Sequence, residues 1–183
     1  MSRPAVTLKL ATSLDGRIAL ADGRSKWITG PQARAEVHRL RADHDCVLTG
    51  VGTVLADDPQ MTARPDGVPA PVQPERAVVD TRLRTPPGAA MFKAGPVRLF
   101  HVDGGAAEAA ALLAADALLE PVMADGDGRA DLHAVLRRMA ELGVRSVMIE
   151  SGGTLAGAAV RAGVVDRIEW FRAPRLIGAE GRP

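Results

Sequence analysis

The sequence predicts an α/β protein with a mainly parallel central sheet and helices on both faces. Short apolar runs bounded by Gly and Pro recur along the 183 residues. They alternate with longer segments whose apolar residues return at helical spacing. Strands that alternate with helices need crossover connections, and these place parallel strands between two helical layers. Glycines also cluster where two apolar runs end, at TGVG (49–52) and ESGG (150–153). In such sheets ligands bind beyond the carboxyl ends of the strands.

The first strand opens at Val6. Val6, Leu8 and Leu10 face one way, and Thr7, Lys9, Ala11 and Ser13 the other. Lysine is a poor strand former and is rarely buried, so Lys9 either serves a function or guards an exposed edge strand. Asp15-Gly16 is a turn signal. Residues 31–43 read as a helix, with Pro31 at its first position and Thr29 or Gly30 as the cap. Ala33, Val37 and Leu40 form its apolar stripe, while Arg34, His38 and Arg41 share a polar face. Residues 45–52 read as a buried strand, followed by a short turn or helix that stops at Pro59. Four prolines and a glycine make 65–75 a loop. Strands follow at 76–81 and 96–102, an Ala-rich helix at 106–117 and a strand at 117–124. The helix at 131–143 closes on Gly143. A strand at 144–150, a helix at 154–163 and a strand at 166–174 complete the alternation.

A formal net charge of +1 gives the chain no general attraction to nucleic acid. Only Lys9, Lys26 and Lys93 are lysines among 23 basic residues, and the rest are arginines. Cys46 is the single cysteine, so neither a disulfide framework nor a cysteine zinc site is available, and its apolar surroundings mark a buried thiol. No apolar stretch is long enough to span a bilayer. The expectation is one cytoplasmic domain over residues 1–183.

ESGGTLAG (150–157) is the sharpest local signal. A strand ends, glycines admit close backbone approach, and a helix begins whose N-terminus suits a phosphate. It is neither a Rossmann fingerprint nor a P-loop, and against a tight turn with glycine for geometry alone the motif by itself favours a phosphate only slightly. In TGVGTVLADDP (49–59), Thr53 and Asp57 stand where they can meet a nucleotide. Asp57-Asp58 lacks further ligands at metal spacing. Arg41 and Arg64 suit a phosphate by their planar forks, although single arginines are usually solvated. His38, His44, His101 and His133 show no metal-like clustering and read as surface or internally satisfied side chains. No metal is expected. Trp27, between a loop and a helix, reads as core.

Taken together, LKLATSLDGRIAL, SKWITGPQAR, HRLRADHDCVLTGVGTVLADDPQMTAR, VVDT, IESGGTLAGA and APRLIG resemble the reductase domain of the bacterial riboflavin-biosynthesis deaminase/reductase. That domain belongs to the dihydrofolate-reductase-like superfamily. The segments run in order from residue 8 to 178, nearly the whole chain. The resemblance implies a three-layer dihydrofolate-reductase-like fold. It also implies NADPH-dependent reduction of 5-amino-6-(5-phosphoribosylamino)uracil to the ribitylamino compound.

Carried over by position, the resemblance puts Ala11, Trp27, Thr53, Asp57, Thr81, Gly152, Gly153, Thr154, Leu155, Ala156, Gly157 and Ala158 at the cofactor. It puts Ser25, Arg41, Met61, Arg64 and Glu150 at the substrate. Lys9 and Glu150 then stand nearest the reacting ribose carbon, with Lys9 orienting ribose oxygens and assisting proton movement. Glu150 holds a hydroxyl or steadies the developing cation, and Arg41 and Arg64 hold the 5′-phosphate. Arg82, beside Thr81, is a weaker candidate for the cofactor 2′-phosphate. Ala11 stands where some members have glycine.

The zinc-deaminase pattern of the bifunctional enzymes, H-x-E with P-C-x-x-C, does not occur here. The family also usually continues past Arg182-Pro183 with a stretch that closes the sheet, so a missing C-terminal segment and a homodimer covering the open edge are expected. Two rival functions remain. One is a reductase of the 2,5-diamino-pyrimidinone phosphate that precedes deamination. The other is a nucleotide-binding module without catalysis. A dihydrofolate-type pteridine reductase fits LADDPxMTxR and the paired arginines less well.

Overall fold

The computed structural model describes residues 3–21 and 30–182. Ser25, Trp27 and Thr29, singled out in the sequence, lie outside the described residues. The strands are β1 (Ala5–Thr12), β2 (Cys46–Gly50), β3 (Glu75–Val79), β4 (Val97–His101), β5 (Ala117–Pro121), β6 (Ser146–Glu150) and β7 (Arg167–Arg172). The helices are α1 (Pro31–Ala42), α2 (Val51–Asp57), α3 (Ala106–Ala114), α4 (Leu132–Glu141) and α5 (Gly153–Arg161). One sheet joins all seven strands in the order β5-β4-β3-β2-β6-β1-β7. Every ladder in it is parallel, as the alternation of elements predicts.

The helices bury their apolar stripes on both faces. On α4, Leu132, Val135, Leu136 and Met139 are buried at helical spacing. With Ala156 and Ala159 of α5 they pack against Val6, Leu8, Val147 and Ile149. On the opposite face Val51 and Val54 of α2 and Leu112 of α3 cover Val47, Val78, Val97 and Leu99. Each such aliphatic side chain contributes about 1.5–3 kcal/mol when fully buried. Asp131 caps α4 by accepting the His133 amide at 2.7 Å.

Several boundaries differ from the sequence reading. The strand expected over 45–52 ends at Gly50, and α2 starts at Val51 without a loop. Gly50 is extended and serves as the helix cap, while Asp58 in the left-handed region ends α2. The strand expected to reach 124 ends at Pro121, which has no N–H to extend a ladder. The helix expected to reach 117 stops at Ala114, and Asp116 turns the chain at φ 69°. A 3₁₀ helix at Ala90–Ala94 was not foreseen. Buried Arg76 of β3 donates to the Met91 carbonyl at 2.5 Å and to Ala94 at 2.9 Å, a tie that no local pattern reveals.

The topology places a crevice. The chain leaves β2 for β3, β4 and β5, then returns to insert β6 between β2 and β1. The switch point therefore lies at the carboxyl ends of β2, β6 and β1, where such sheets bind ligands. Past β1 the chain is fastened by Asp15, which accepts the Ser13 hydroxyl at 2.6 Å and the Gly178 amide at 2.7 Å. The LDGRIA turn and the RLIG segment are thus one structural unit.

Candidate active site

Lys9 faces acidic groups. It is the register partner of Glu150 on β6 and of Glu169 on β7. Its Nζ lies 3.6 Å from Glu150 Oε1. Helix α1 covers this side and sends Arg41 to the same carboxylate. Arg41 Nε donates to Oε2 at 2.8 Å and Nη2 to Oε1 at 3.0 Å. Arg41 Nη1 donates to the Thr62 carbonyl at 2.9 Å. The Glu150 side chain is only 18% exposed. Its burial raises the pKa, but the charges of Arg41 and then Lys9, with their hydrogen bonds, outweigh this and hold the carboxyl below its ordinary value. The end of α1 is pinned to β1 by His44, which contacts the Leu40 carbonyl at 2.6 Å and Thr7 Oγ1 at 3.0 Å.

Arg41, expected to hold a phosphate, also grips Glu150. The two roles are compatible, because a guanidinium has five N–H groups and three are engaged here. One remains on each terminal nitrogen. Arg64 stands on the segment after α2. Its Nη1 donates to Gln60 Oε1 at 2.7 Å, and its amide donates to His38 Nδ1 at 3.2 Å. Met61, expected at the substrate, is 2% exposed with its side chain in the core. Its backbone, turned at φ 57°, is what it can offer a ligand.

The two glycine-rich strand exits meet. Helices α2 and α5 start directly at the ends of the adjacent strands β2 and β6. The Gly152 amide donates to Thr53 Oγ1 at 3.2 Å. A Cβ on Gly50 would lie 3.5 Å from Leu155 Cβ, ordinary contact that brings the two helix starts together. Gly152, Gly153 and Thr154 are exposed, and the first turn of α5 presents amides at the positive end of the helix dipole. Further along, Ala156 sits in the core and Leu155 and Ala158 pack against it; Gly157 is half-buried. Ala11 is half-buried near the end of β1, and Asp57 is exposed at the end of α2.

Thr81 follows β3. Its carbonyl accepts the Val102 and Asp103 amides at 3.1 and 2.9 Å, and its hydroxyl accepts the Ala130 amide at 3.2 Å. Beside it lies an open cavity of about 1060 Å³ whose lining includes Arg82, Arg84, Thr85, Asp103 and Gly105. Among the described residues no group of three or more His, Cys, Asp and Glu is placed to hold a metal. Cys46 is buried, and burial pushes its thiol well above the ordinary range, so it is not a nucleophile.

His38 is an internally satisfied histidine, one of the two kinds expected, but where its partners lie is not visible in the sequence: its Nδ1 stands 3.2 Å from both the Thr62 carbonyl and the Arg64 amide. The available signal was its place three residues before Arg41 on one helical face.

The profile of the RibD C-terminal domain matches residues 4–183. The chain belongs to this family. The riboflavin biosynthesis protein RibD of Mycobacterium tuberculosis is 42% identical over 176 residues, covering 96% of the chain and 43% of that protein. The 2,5-diamino-6-ribosylamino-4(3H)-pyrimidinone 5′-phosphate reductase of Methanothermobacter thermautotrophicus is 37% identical, covering 96% of the chain and 80% of that protein. Acinetobacter baumannii RibD superposes with a TM-score of 0.82 at 33% identity, covering 98% of the chain and 49% of that structure. The chain thus spans about half the length of the RibD relatives it matches.

Proposed function

We propose that the chain is an NADPH-dependent reductase in riboflavin biosynthesis. It converts 5-amino-6-(5-phosphoribosylamino)uracil to 5-amino-6-(5-phosphoribitylamino)uracil. The observation that carries this reading is the Lys9–Glu150–Arg41 cluster at the sheet's switch point, beside the start of α5. The ring-opened sugar carries a C=N bond at C1′. When bound, the reduced nicotinamide supplies the hydride for that carbon, and a proton completes the amine at nitrogen. Lys9 is the proton source and orients the ribose oxygens. Glu150, kept ionised by its two cations, holds a ribose hydroxyl and favours the iminium over the neutral imine. Arg41, through its two remaining N–H groups, and Arg64 grip the 5′-phosphate, so remote binding energy orients the reacting carbon.

The residues present suit the dinucleotide. Exposed amides at Gly153 and Thr154 fit its pyrophosphate. The groove beside Thr81 carries Arg82 and Arg84 together with Asp103 and Glu108, and its arginines are the groups on offer to the additional phosphate of NADPH.

A second reading exchanges the substrate for the 2,5-diamino-pyrimidinone phosphate. It is favoured by the name of the Methanothermobacter relative. NADPH oxidation measured with each pyrimidine separately decides between them. Preference for the uracil supports the proposal, and activity confined to the pyrimidinone replaces it.

A homodimer and a cytoplasmic location are part of the same proposal. Strand β7 is an edge strand with Ile168 52% and Trp170 55% exposed, a surface suited to a second copy. Among the described residues no helix is long and apolar enough to cross a membrane. Sedimentation at a monomer mass would exclude the dimer.

A further inference from the structure

We propose that His38 is a positioning residue for the phosphate end of the substrate, acting through the backbone of Arg64. This rests on the reading that Arg64 grips the phosphate. The His38 ring reaches across from α1 to the segment that carries Arg64. Its Nδ1 lies 3.2 Å from both the Arg64 amide and the Thr62 carbonyl. One ring nitrogen cannot serve both, since the amide needs an acceptor and the carbonyl needs a donor.

The Thr62 carbonyl already receives Arg41 Nη1 at 2.9 Å. The arrangement that satisfies both neighbours is therefore a neutral ring with its lone pair on Nδ1 and its proton on Nε2. Protonating Nδ1 would set a donor against the Arg64 amide and release that backbone.

The surroundings favour the neutral ring. Half-burial comes first, followed by the positive charges of Arg41 on its own helix and Arg64 on the segment. These outweigh the Thr62 carbonyl and the Glu150 carboxylate of β6, which favour the charged ring. The ring thus stays neutral to lower pH than an ordinary histidine. Arg41 also ties α1 to this segment at the Thr62 carbonyl, but the Arg64 amide itself is held by His38. Gln73 holds Ala63 from within the same stretch by two bonds of 2.9 Å. The Arg39–Asp66 pair, which also joins α1 to the segment, is exposed and contributes little.

The test compares His38→Ala, His38→Asn and Arg64→Ala, using the phosphorylated substrate and its dephosphorylated counterpart. An asparagine Oδ1 stands near the position of Nδ1 and accepts without titrating. His38→Ala is expected to raise KM for the phosphorylated substrate about tenfold, the size of one lost positioning hydrogen bond. The KM for NADPH and for the dephosphorylated compound stay as in the wild type, and kcat changes by less than about threefold on the same scale. His38→Asn restores KM. It is also expected to remove an extra rise in KM that the proposal predicts for the wild type on acidification, while the titration of the substrate's own phosphate is common to both proteins.

If Arg64→Ala abolishes the preference for the phosphorylated compound but His38→Ala does not weaken it, the His38 proposal is overturned and the phosphate reading stands. If Arg64→Ala leaves that preference intact, the phosphate reading and the role of His38 fall together. A His38→Ala loss shared equally by both substrates and by NADPH also overturns the proposal, because it reports general damage.

Discussion

Arg41 and Glu150, 109 positions apart in the chain, meet in a two-point fork of 2.8 and 3.0 Å. The fork docks α1 onto the carboxyl end of β6 and fixes the carboxylate that Lys9 approaches from β1. Such a pair, little exposed, costs more to break than to keep, because the surviving partner stays charged without compensation. Glu150→Gln keeps the shape and some hydrogen bonding but leaves two cations facing a neutral amide. Turnover is expected to fall at least about 100-fold, and stability by about 3 kcal/mol. Substrate-dependent NADPH oxidation and a urea unfolding curve check the two effects separately.

Lys9→Met separates chemistry from folding. Glu150 retains its Arg41 fork and so is not left uncompensated, and the loss of stability is expected to be smaller than that of Glu150→Gln. Turnover falls about 100-fold with the loss of a proton donor. Full turnover in Lys9→Met would remove the lysine from the mechanism.

Thr53 and Gly152 join the first turns of α2 and α5. Thr53→Val removes the acceptor of the Gly152 amide. The expected result is a rise in the KM for NADPH of about five- to tenfold, one hydrogen bond's worth, with the substrate KM unchanged. A rise confined to the substrate would place the cofactor elsewhere.

Acid should weaken the fold through carboxylates held below their ordinary values. Asp166 is drawn down to about 2 by hydrogen bonding to Arg3 and to the Val6 amide. Glu150 is also lowered, its cationic partners overcoming burial. A depressed carboxylate contributes stability that is fully present above its unfolded value, near 4, and is lost as pH falls through the folded value. The thermal midpoint is therefore expected to be level above about pH 5 with respect to these groups and to drop toward pH 2. Asp166→Asn should flatten the lower part of that drop.

Much of the fold was legible because the strands are apolar runs punctuated by Gly and Pro, and because Pro31 and Gly143 mark helix ends. The buried row on β1 follows directly from its alternation. Lys9, Arg41 and Glu150 were each visible as chemistry-bearing residues, the first two from the residues themselves and Glu150 through the resemblance. Their mutual contact was not visible, since it depends on the β1–β6 register and on the docking of α1, both set by distant parts of the chain. Met61 is placed at the substrate by the resemblance, but with its own backbone in the left-handed region its side chain lies in the core, which no local pattern reveals. His38 looked unremarkable because its partners are backbone atoms of a segment more than twenty residues away. The 3₁₀ turn at Ala90–Ala94 was hidden for the same reason, its carbonyls being held by Arg76 from another strand.

The central claim is that this site delivers hydride to the sugar carbon C1′. The most direct measurement uses NADPH deuterated at the transferable C4 position with 5-amino-6-(5-phosphoribosylamino)uracil, followed by mass and NMR analysis of the product. The account predicts one deuterium per molecule at C1′ of the ribityl chain. NADPH oxidation with no deuterium in the product, or with deuterium on the pyrimidine ring, would contradict it.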